Sequence, residues 1–405
     1  MNKLNTLEEL IGKKIFSLKE DFKVSINSKE ATPNSVFFAI NKGNDYAKEA
    51  ESMGAFVIYD KKELDIHNGH YVEDSVKFMQ EFARRYRKNN KFIVIGITGS
   101  NGKTTVKDIL HSVLSNKGVR VYKTQGNYNN HIGLPFTILS AKDSDEILLL
   151  EMGMSNLGEI DLLGYIAKPD YSIITNIGQS HLEYLKTMEN VFKAKTEIIP
   201  HTSKKVVVNG KDEFLSKLDG VIKVETKDIK TNLLGDHNLL NVSIVDSLLK
   251  YMGFDDLCYE NIELTDGRFQ IVKGKYTYIN DAYNASPISM KASLETFSKI
   301  CNESFKIIAL GDMLELGSDE KKYHEDLSYV LRETNFDRLF LYGKRMKYLY
   351  EKLCNLDDIS FKFEYFDNKE DIKKAIDNIE TIKEKVVLLK GSRSMKMEDI
   401  MEVNN

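Results

Sequence analysis

Nine residues, Ile97-Thr98-Gly99-Ser100-Asn101-Gly102-Lys103-Thr104-Thr105, have the types and spacing to hold a polyphosphate. An apolar β-type run precedes them and a helical pattern follows, the setting a phosphate loop requires. Glycines at 99 and 102 let backbone N–H groups turn toward phosphate oxygens, and the helix that follows adds its positive N-terminal end. Lys103 carries the charge to neutralise β and γ phosphates, and Thr104 the hydroxyl to ligate Mg²⁺. The general phosphate-loop pattern asks for glycine where Ile97 stands, and Gly96 is one residue too early, so the match is to a TGxNGKT variant. Such a loop serves kinases, GTPases, ATPases and ligases alike.

Three more residues have types suited to the chemistry beside it. Glu151 closes the apolar run Ile147–Leu150, where a carboxylate at a buried strand end can hold Mg²⁺ directly or through water. His181 lies in a polar loop, Thr175–Glu183, after the run YSIIT, on the same expected ligand edge. Lys195 lies in an amphipathic helical pattern, where spacing alone makes it a surface lysine. His67 and His70 have no further ligand nearby, and His324-Glu325 does not extend to HExxH, so neither suggests zinc.

The elements that must position these residues read as an α/β chain in three segments. In 1–90, a polar helix near Leu4–Leu10, strands near Ser35–Ile40 and Ala55–Tyr59, and a charged helix near Val76–Arg87 are expected; Arg84–Lys88 reads as a solvated helix end. In 91–260, the runs KFIVIGI, VRVYKT, EILLLEMG, YSIITNI and KKVVVN alternate with helical stretches. Near-continuous apolar strands of this kind imply a parallel sheet covered on both faces. In 261–405, YTYIND, KIIALGD, RLFLYG and VVLLKG repeat the pattern, several ending in polar or glycine-containing turns. Ligands of open parallel sheets sit beyond the carboxyl ends of strands, so two such sheets face to face would make a cleft polar on both walls.

Bulk properties narrow the class. The 405 residues are 42% hydrophobic and 29% charged with net charge −4, a soluble globular composition without the basic surplus of a nucleic-acid binder. Cys258, Cys301 and Cys354 are far apart and form no CxxC pair, so no disulfide framework or zinc site is expected. The start, MNKLNTLEEL, has no apolar core of a signal peptide, and the longest apolar runs are too short to span a bilayer. A cytoplasmic protein without membrane insertion is expected.

Taken together in order, these motifs resemble the Mur ligase family. TGSNGKT has that family's form; GNYNNHIGLP (Gly126–Pro135), TNIGQSHLEY, KAKTE, GDHNLLN (Gly235–Asn241) and DGRFQ (Asp266–Gln270) resemble its successive motifs. DAYNASP (Asp281–Pro287), LGDMLELG (Leu310–Gly317) and LLKGSRSMKME (Leu388–Glu398) resemble the members that add D-alanyl-D-alanine to a UDP-linked muramoyl tripeptide. The first segment departs, with Asn27-Ser28-Lys29 where members usually show Asp-Ser-Arg, and Asn44-Asp45-Tyr46 where they show Asp-Gly-His.

The resemblance implies three domains: 1–90 binding the UDP substrate, 91–260 binding ATP, and a Rossmann-like 261–405 binding the incoming dipeptide. It implies ATP and Mg²⁺ as cofactors, UDP-N-acetylmuramoyl-tripeptide and D-alanyl-D-alanine as substrates, an acyl-phosphate intermediate in peptidoglycan precursor synthesis, and a monomer. Thr98 to Thr105, Asn238, Arg268 and Asp281 would contact nucleotide. Thr104 and Glu151 would serve one metal, His181 and a carbamylated Lys195 a second, and Lys103, His181 and Lys195 would be catalytic. Asn284, Ser286, Asp312, Lys390, Ser392 and Arg393 would face the dipeptide. The competing readings are a related ligase with another amino-acid acceptor, such as a folylpolyglutamate-type enzyme, and a non-catalytic nucleotide-binding protein.

Overall fold

The computed structural model describes residues 2–357 and 359–402; the outer limits expected for the first and third segments, Met1 and Asn405, lie outside the described residues. Three sheets follow one another along the chain. The first contains β1 (Lys23–Ser25), β2 (Ser35–Phe38), β3 (Phe56–Tyr59) and β4 (Gly69–Tyr71), paired in that order and parallel.

The central sheet contains β5 (Ile93–Thr98), β6 (Val121–Lys123), β7 (Ile147–Glu151), β8 (Tyr171–Ile174), β9 (Lys205–Asn209) and β10 (Ile222–Val224). Its order is β10-β9-β8-β5-β7-β6, every pair parallel. The chain leaves β5 toward one edge and later crosses to the other, so β5 stands at the switch point where such sheets bind ligands. The third sheet contains β11 (Gln270–Lys273), β12 (Thr277–Asn280), β13 (Phe305–Gly311), β14 (Arg338–Tyr342), β15 (Lys362–Phe366) and β16 (Lys385–Lys390), in the order β11-β12-β16-β13-β14-β15. All neighbours are parallel except β11, which runs antiparallel to β12.

Apolar strands such as β5, β7 and β13 are buried along nearly their whole length because helices cover both faces. One hydrophobic core joins the first sheet to one face of the central sheet, running from Leu7 through Phe38, Phe82 and Leu148 to Ile198. Another fills the opposite face, between β5 and the helices Lys103–Asn116 and Asp236–Tyr251. The third sheet has separate cores on its two faces. Among the described residues no helix is long and apolar enough to cross a membrane. All three cysteines are free and exposed.

The helix Ser75–Asn89 differs from its sequence reading. It packs against Gly133–Ser140 and Glu159–Ala167 of the central unit, and the end expected in water is largely enclosed. Tyr86 is fully buried with its hydroxyl donating to Asp143 at 2.7 Å; burial, with Asp143, pushes its phenol pKa up. Arg87 pairs with Asp170 at 2.7 Å and donates to the carbonyls of Ala167, Phe92 and Lys168. Arg84 and Arg85 both hold Glu81 one turn back. A run of four basic residues looks solvated because each is judged by its type, whereas one arginine here closes the ends of three central-unit segments.

Arg87→Ala should therefore destabilise the protein by about 2–3 kcal/mol, because Asp170 and three carbonyls lose their donor in a poorly solvated site. The midpoint of denaturant unfolding, wild type against variant, measures it, and an unchanged midpoint contradicts the structural role.

Candidate active site

The phosphate loop leaves the carboxyl end of β5, flanked by the ends of β7 and β8. Gly99 has φ +144°, and a Cβ there would lie 1.9 Å from Thr175 Oγ1, so only glycine fits under the end of β8. The segment 175–180 holds the loop in place. Asn101 N–H donates to Asn176 Oδ1 at 2.9 Å, and Asn176 Nδ2 returns a bond to the Asn101 carbonyl at 3.1 Å. Ser100 Oγ donates to the Gly178 carbonyl at 3.0 Å and accepts from Gly178 N–H at 2.9 Å. Lys103 curls back to the Gly99 carbonyl at 2.8 Å. Burial lowers its pKa, with Glu151 opposing and Arg268 reinforcing the shift.

Thr104, in the first turn of the helix Lys103–Asn116, is where three parts of the chain converge. Its hydroxyl donates to Glu151 Oε2 at 3.0 Å and accepts from Arg268 Nη2 at 2.9 Å. The other Glu151 oxygen accepts from Asn129 Nδ2 at 3.3 Å, and Lys107 Nζ stands 3.7 Å from Oε2. Arg268 arrives from the entry to the third sheet with its guanidinium 3.9 Å from the centre of the Tyr283 ring. A second contact crosses the cleft: Ser286 Oγ donates to Asn101 Oδ1 at 2.9 Å while capping the helix Pro287–Lys299. The arginine thus reaches the phosphate loop with both walls together.

A cavity of about 560 Å³ lies between the walls. Ser100 to Thr105, Glu151 and His181 line it from the central unit, as does Asn238 on Asp236–Tyr251; Arg268, Asp281, Asn284 and Lys390 line it from the third. Asn238 Nδ2 donates to the Leu234 carbonyl at 2.8 Å. Lys390 Nζ meets Asp281 Oδ2 at 2.6 Å, and Asp281 Oδ1 accepts from Phe269 N–H at 3.1 Å. Thr98 is buried beneath the loop, its carbonyl accepting from Thr175 N–H. His181 adopts a positive φ of 55°, and its Nδ1 stands 2.9 Å from Glu315 Oε2, close but not aligned as a hydrogen bond.

Lys195 is 2% exposed, buried within electrostatic reach of Lys103 rather than on the surface where its spacing placed it. Burial, then the charge of Lys103, lowers its pKa well below the ordinary lysine value. No carboxylate among the described residues forms an ion pair with it.

Four residues expected to face the dipeptide do not line the cavity: Ser286, whose hydroxyl is given to Asn101, and Asp312, Ser392 and Arg393. Asp312 is buried, its Oδ1 accepting from Arg345 N–H at 3.0 Å and Met346 N–H at 2.9 Å, where a carboxylate satisfies the start of Met346–Cys354. Ser392 Oγ accepts from Leu314 N–H at 2.9 Å and so braces the same loop. Arg393 is exposed and paired with Glu398 at 2.5 Å. In the first sheet unit, Asn44 is buried and donates to Asp60 Oδ1 at 2.7 Å, and Asn27 caps a short turn through Lys29 N–H. Asn129, Asn176, Tyr283 and Glu315 also belong to the site, though neither their types nor their spacing single them out in the sequence. Their only signal was membership of the motifs GNYNNHIGLP, TNIGQSHLEY, DAYNASP and LGDMLELG.

The donor set suits a magnesium nucleotide. Thr104 and Glu151 supply hard oxygens side by side, and Mg²⁺ commonly takes one or two from a protein and the rest from phosphates and water. Seven buried side-chain polar atoms lack a hydrogen-bond partner among the described residues. Five of these belong to Thr98, Asn101, Gln179, His181 and Arg268, around the phosphate loop. Buried polar atoms are normally partnered, and of these five residues Asn101, His181 and Arg268 line the cavity, where such atoms can meet a ligand.

Comparison with known proteins agrees with this geometry. Residues 97–231 match the model of the Mur ligase middle domain, and residues 267–393 that of the Mur ligase glutamate ligase domain. UDP-N-acetylmuramoyl-tripeptide--D-alanyl-D-alanine ligase of Bacillus subtilis is 35% identical, across 89% of this chain and 87% of that protein. The protein of the same name from Rickettsia prowazekii is 30% identical across 98% of each. Among solved structures, MurF from Acinetobacter baumannii superposes with a TM-score of 0.86 at 22% identity, covering 98% of this chain and 97% of that one. MurF ligase from Thermotoga maritima in complex with ADP gives 0.79 at 28% identity, covering 94% and 96%.

Thr104→Val keeps the shape of the side chain but removes the hydroxyl shared by Glu151 and Arg268. It should weaken binding of a nucleotide with Mg²⁺ by about 10- to 100-fold, the worth of a hydrogen bond to a charged group. Calorimetric titration with and without Mg²⁺ measures this, and equal affinity for both proteins contradicts the assignment.

Proposed function

Because the chain belongs to the Mur ligase family, we propose that it forms an amide bond at the expense of ATP, joining D-alanyl-D-alanine to UDP-N-acetylmuramoyl-tripeptide in peptidoglycan precursor synthesis. The observation that carries this reading is the contact of Arg268 with Thr104, which brings a guanidinium from the third unit to the phosphate loop of the central one. The choice of member is supported by likeness along nearly the full chain to ligases of that name and by the motifs DAYNASP and LGDMLELG.

A carboxylate does not form an amide until its oxygen becomes a leaving group. The tripeptide carboxylate attacks the γ-phosphorus of ATP, the bond to the bridging oxygen breaks, ADP leaves, and an acyl phosphate forms. The dipeptide amine then attacks the acyl carbon and inorganic phosphate departs, the amine losing a proton. The first step brings anions together. The amides of Gly102 to Thr105, the ammonium of Lys103 and the guanidinium of Arg268 offset that repulsion. Mg²⁺ bound by Thr104 and Glu151 would add charge neutralisation at the phosphates. Ser286 and Arg268 close the cleft, and closure excludes the water that would hydrolyse the acyl phosphate.

Lys195 and His181 are candidates for the substrate side of the site. A buried lysine with a depressed pKa holds more of its neutral amine, the form that adds CO₂ and loses a proton to give a carbamate. That would turn an unpaired cation into an anion able to accept a metal beside Lys103. Asn284 and Lys390, in the cavity lining, are candidates to meet the dipeptide, and exposed Arg393, 6.0 Å from the Tyr283 ring, is a candidate for its carboxylate, whereas Asp312 and Ser392 support the loop Leu310–Gly317. The domains are best drawn as 1–90, 91–260 and 261–405, with one chain supplying both walls of the cleft, in keeping with a monomer working in the cytoplasm where ATP and UDP-linked precursors are found.

ADP release should require ATP, UDP-muramoyl tripeptide and D-alanyl-D-alanine together and fall to background when any one is omitted; release without the tripeptide rejects the ligase reading. Lys195→Ala should lose activity and regain part of it with millimolar short carboxylates. Full activity without them would leave Lys195 a structural lysine.

A further inference from the structure

The helix Lys103–Asn116 does more than present the phosphate loop. Thr104, Asp108 and Ser112 are four residues apart and therefore form one stripe along it. Each holds the segment that leads into the third unit, and that segment runs the opposite way. Ser112 Oγ accepts from Glu263 N–H at 3.1 Å. Asp108 Oδ2 accepts from both the N–H and the hydroxyl of Thr265, at 2.9 and 2.7 Å. Thr104 Oγ1 accepts from Arg268. Asp108 is fully buried, and its other oxygen is held by Lys123 at 2.8 Å, so it is fixed before it meets the linker.

Beyond Thr265 the ties change sides. The Gly267 carbonyl accepts from Tyr283 N–H at 3.1 Å, and Phe269 N–H donates to Asp281. Gly267 has φ +77°, and a Cβ there would lie 3.1 Å from Tyr283 N. Exposed Asp266 is thus the one residue between the main-chain ties to the central helix and those to the third unit; its carboxylate accepts from Gln270 Nε2 at 3.0 Å, and only the Arg268 side chain reaches back. The two family matches end at 231 and begin at 267, so Glu263 and Thr265 lie between them, whereas Asp108 lies within the first and Arg268 within the second.

We propose that Asp108 is a positioning residue: by holding Thr265 to the phosphate-loop helix it confines the pivot between the two units to Asp266 and sets the reach of Arg268 onto Thr104. Asp108 touches no cavity surface; besides the linker its carboxylate meets Lys107 at 3.9 Å, a contact present whether or not the arginine is, so the double-mutant cycle isolates the part that runs through Arg268. The inference rests on the ligase reading for its kinetic readout, and a second readout is independent of turnover.

The test is a double-mutant cycle on the full chain. Asp108→Ala should lower kcat for ADP release by about 10- to 100-fold with little change in KM for ATP, since hydrogen bonds to a charged group are lost. In an Arg268→Lys background the same change should have little further effect. An equal loss in both backgrounds overturns the proposal and makes Asp108 a general structural residue. Should Asp108→Ala fail to fold, Thr265→Val decides, with a smaller loss that again vanishes in Arg268→Lys and is absent in Thr265→Ser. Hydrogen exchange at the Thr265 amide should quicken about tenfold or more in Asp108→Ala, whether or not any acceptor is turned over. A wild type inactive with every acceptor rejects the ligase reading alone; unchanged exchange rejects the rail.

Discussion

A single hydroxyl, Thr104 Oγ1, stands between a carboxylate from β7 and a guanidinium from the third unit. Both neighbours come from segments far away in sequence, and each is braced independently, Glu151 by Asn129 and Arg268 by the face of Tyr283. The arrangement demands a phosphate loop fixed to within fractions of an ångström. That explains why Asn176 and Ser100 tie the loop to its neighbour by paired bonds rather than by apolar contact. Hydrogen bonds are directional where dispersion is not, and a loop made mostly of glycine and small polar residues has little apolar surface to pack.

The same network carries a surplus of positive charge. Lys103, Lys107 and Arg268 all act on Glu151 or on one another, and Lys195 lies within electrostatic reach of Lys103. Asp108 is already taken by Lys123 and Thr265. Bringing cations together in a partly desolvated cleft is unfavourable unless an anion joins them, so the corner around Lys103 and Arg268 favours a negatively charged ligand. A nucleoside triphosphate approaching a carboxylate substrate is such a ligand, and the surplus serves the step in which two anions must meet.

How much of this was legible beforehand depends on the range of the signal. The phosphate loop, Glu151 at a strand end and the His181 loop are local patterns, and the parallel sheets around them follow from runs of apolar residues. The short or polar edge strands β1, β4, β10, β11 and β15 carry no comparable run and were not read. Lys195 was legible only through resemblance, because its helix spacing says surface and only the tertiary fold buries it. Tyr86 and Arg87 were misjudged for the same reason. Asp312 had a motif but a different use: its carboxylate is consumed by two backbone amides at a helix start, and no one-dimensional pattern separates a bracing aspartate from one that meets a ligand.

Where the molecule can open follows from how its parts are joined. The first and central units share one continuous apolar core, so separating them would expose large side chains such as Phe38 and Phe82 to water. The cores of the central unit end near Leu264 and those of the third begin at Phe269, with none in common. Across that gap, apart from Ile288 packed over Gly178, the named contacts are polar: Arg268 with Thr104, Ser286 with Asn101, Lys299 with Asp236, His181 beside Glu315. Each such contact can be exchanged for water at a net cost of about 1 kcal/mol, far less than parting a core. A cleft closed by replaceable bonds and hinged on a single exposed residue can admit a nucleotide and two further substrates in turn, yet close to one geometry. Had the third unit shared a core with the central one, the walls would be fixed, and substrates would have no way in and products no way out of a cleft that must shield an acyl phosphate from water.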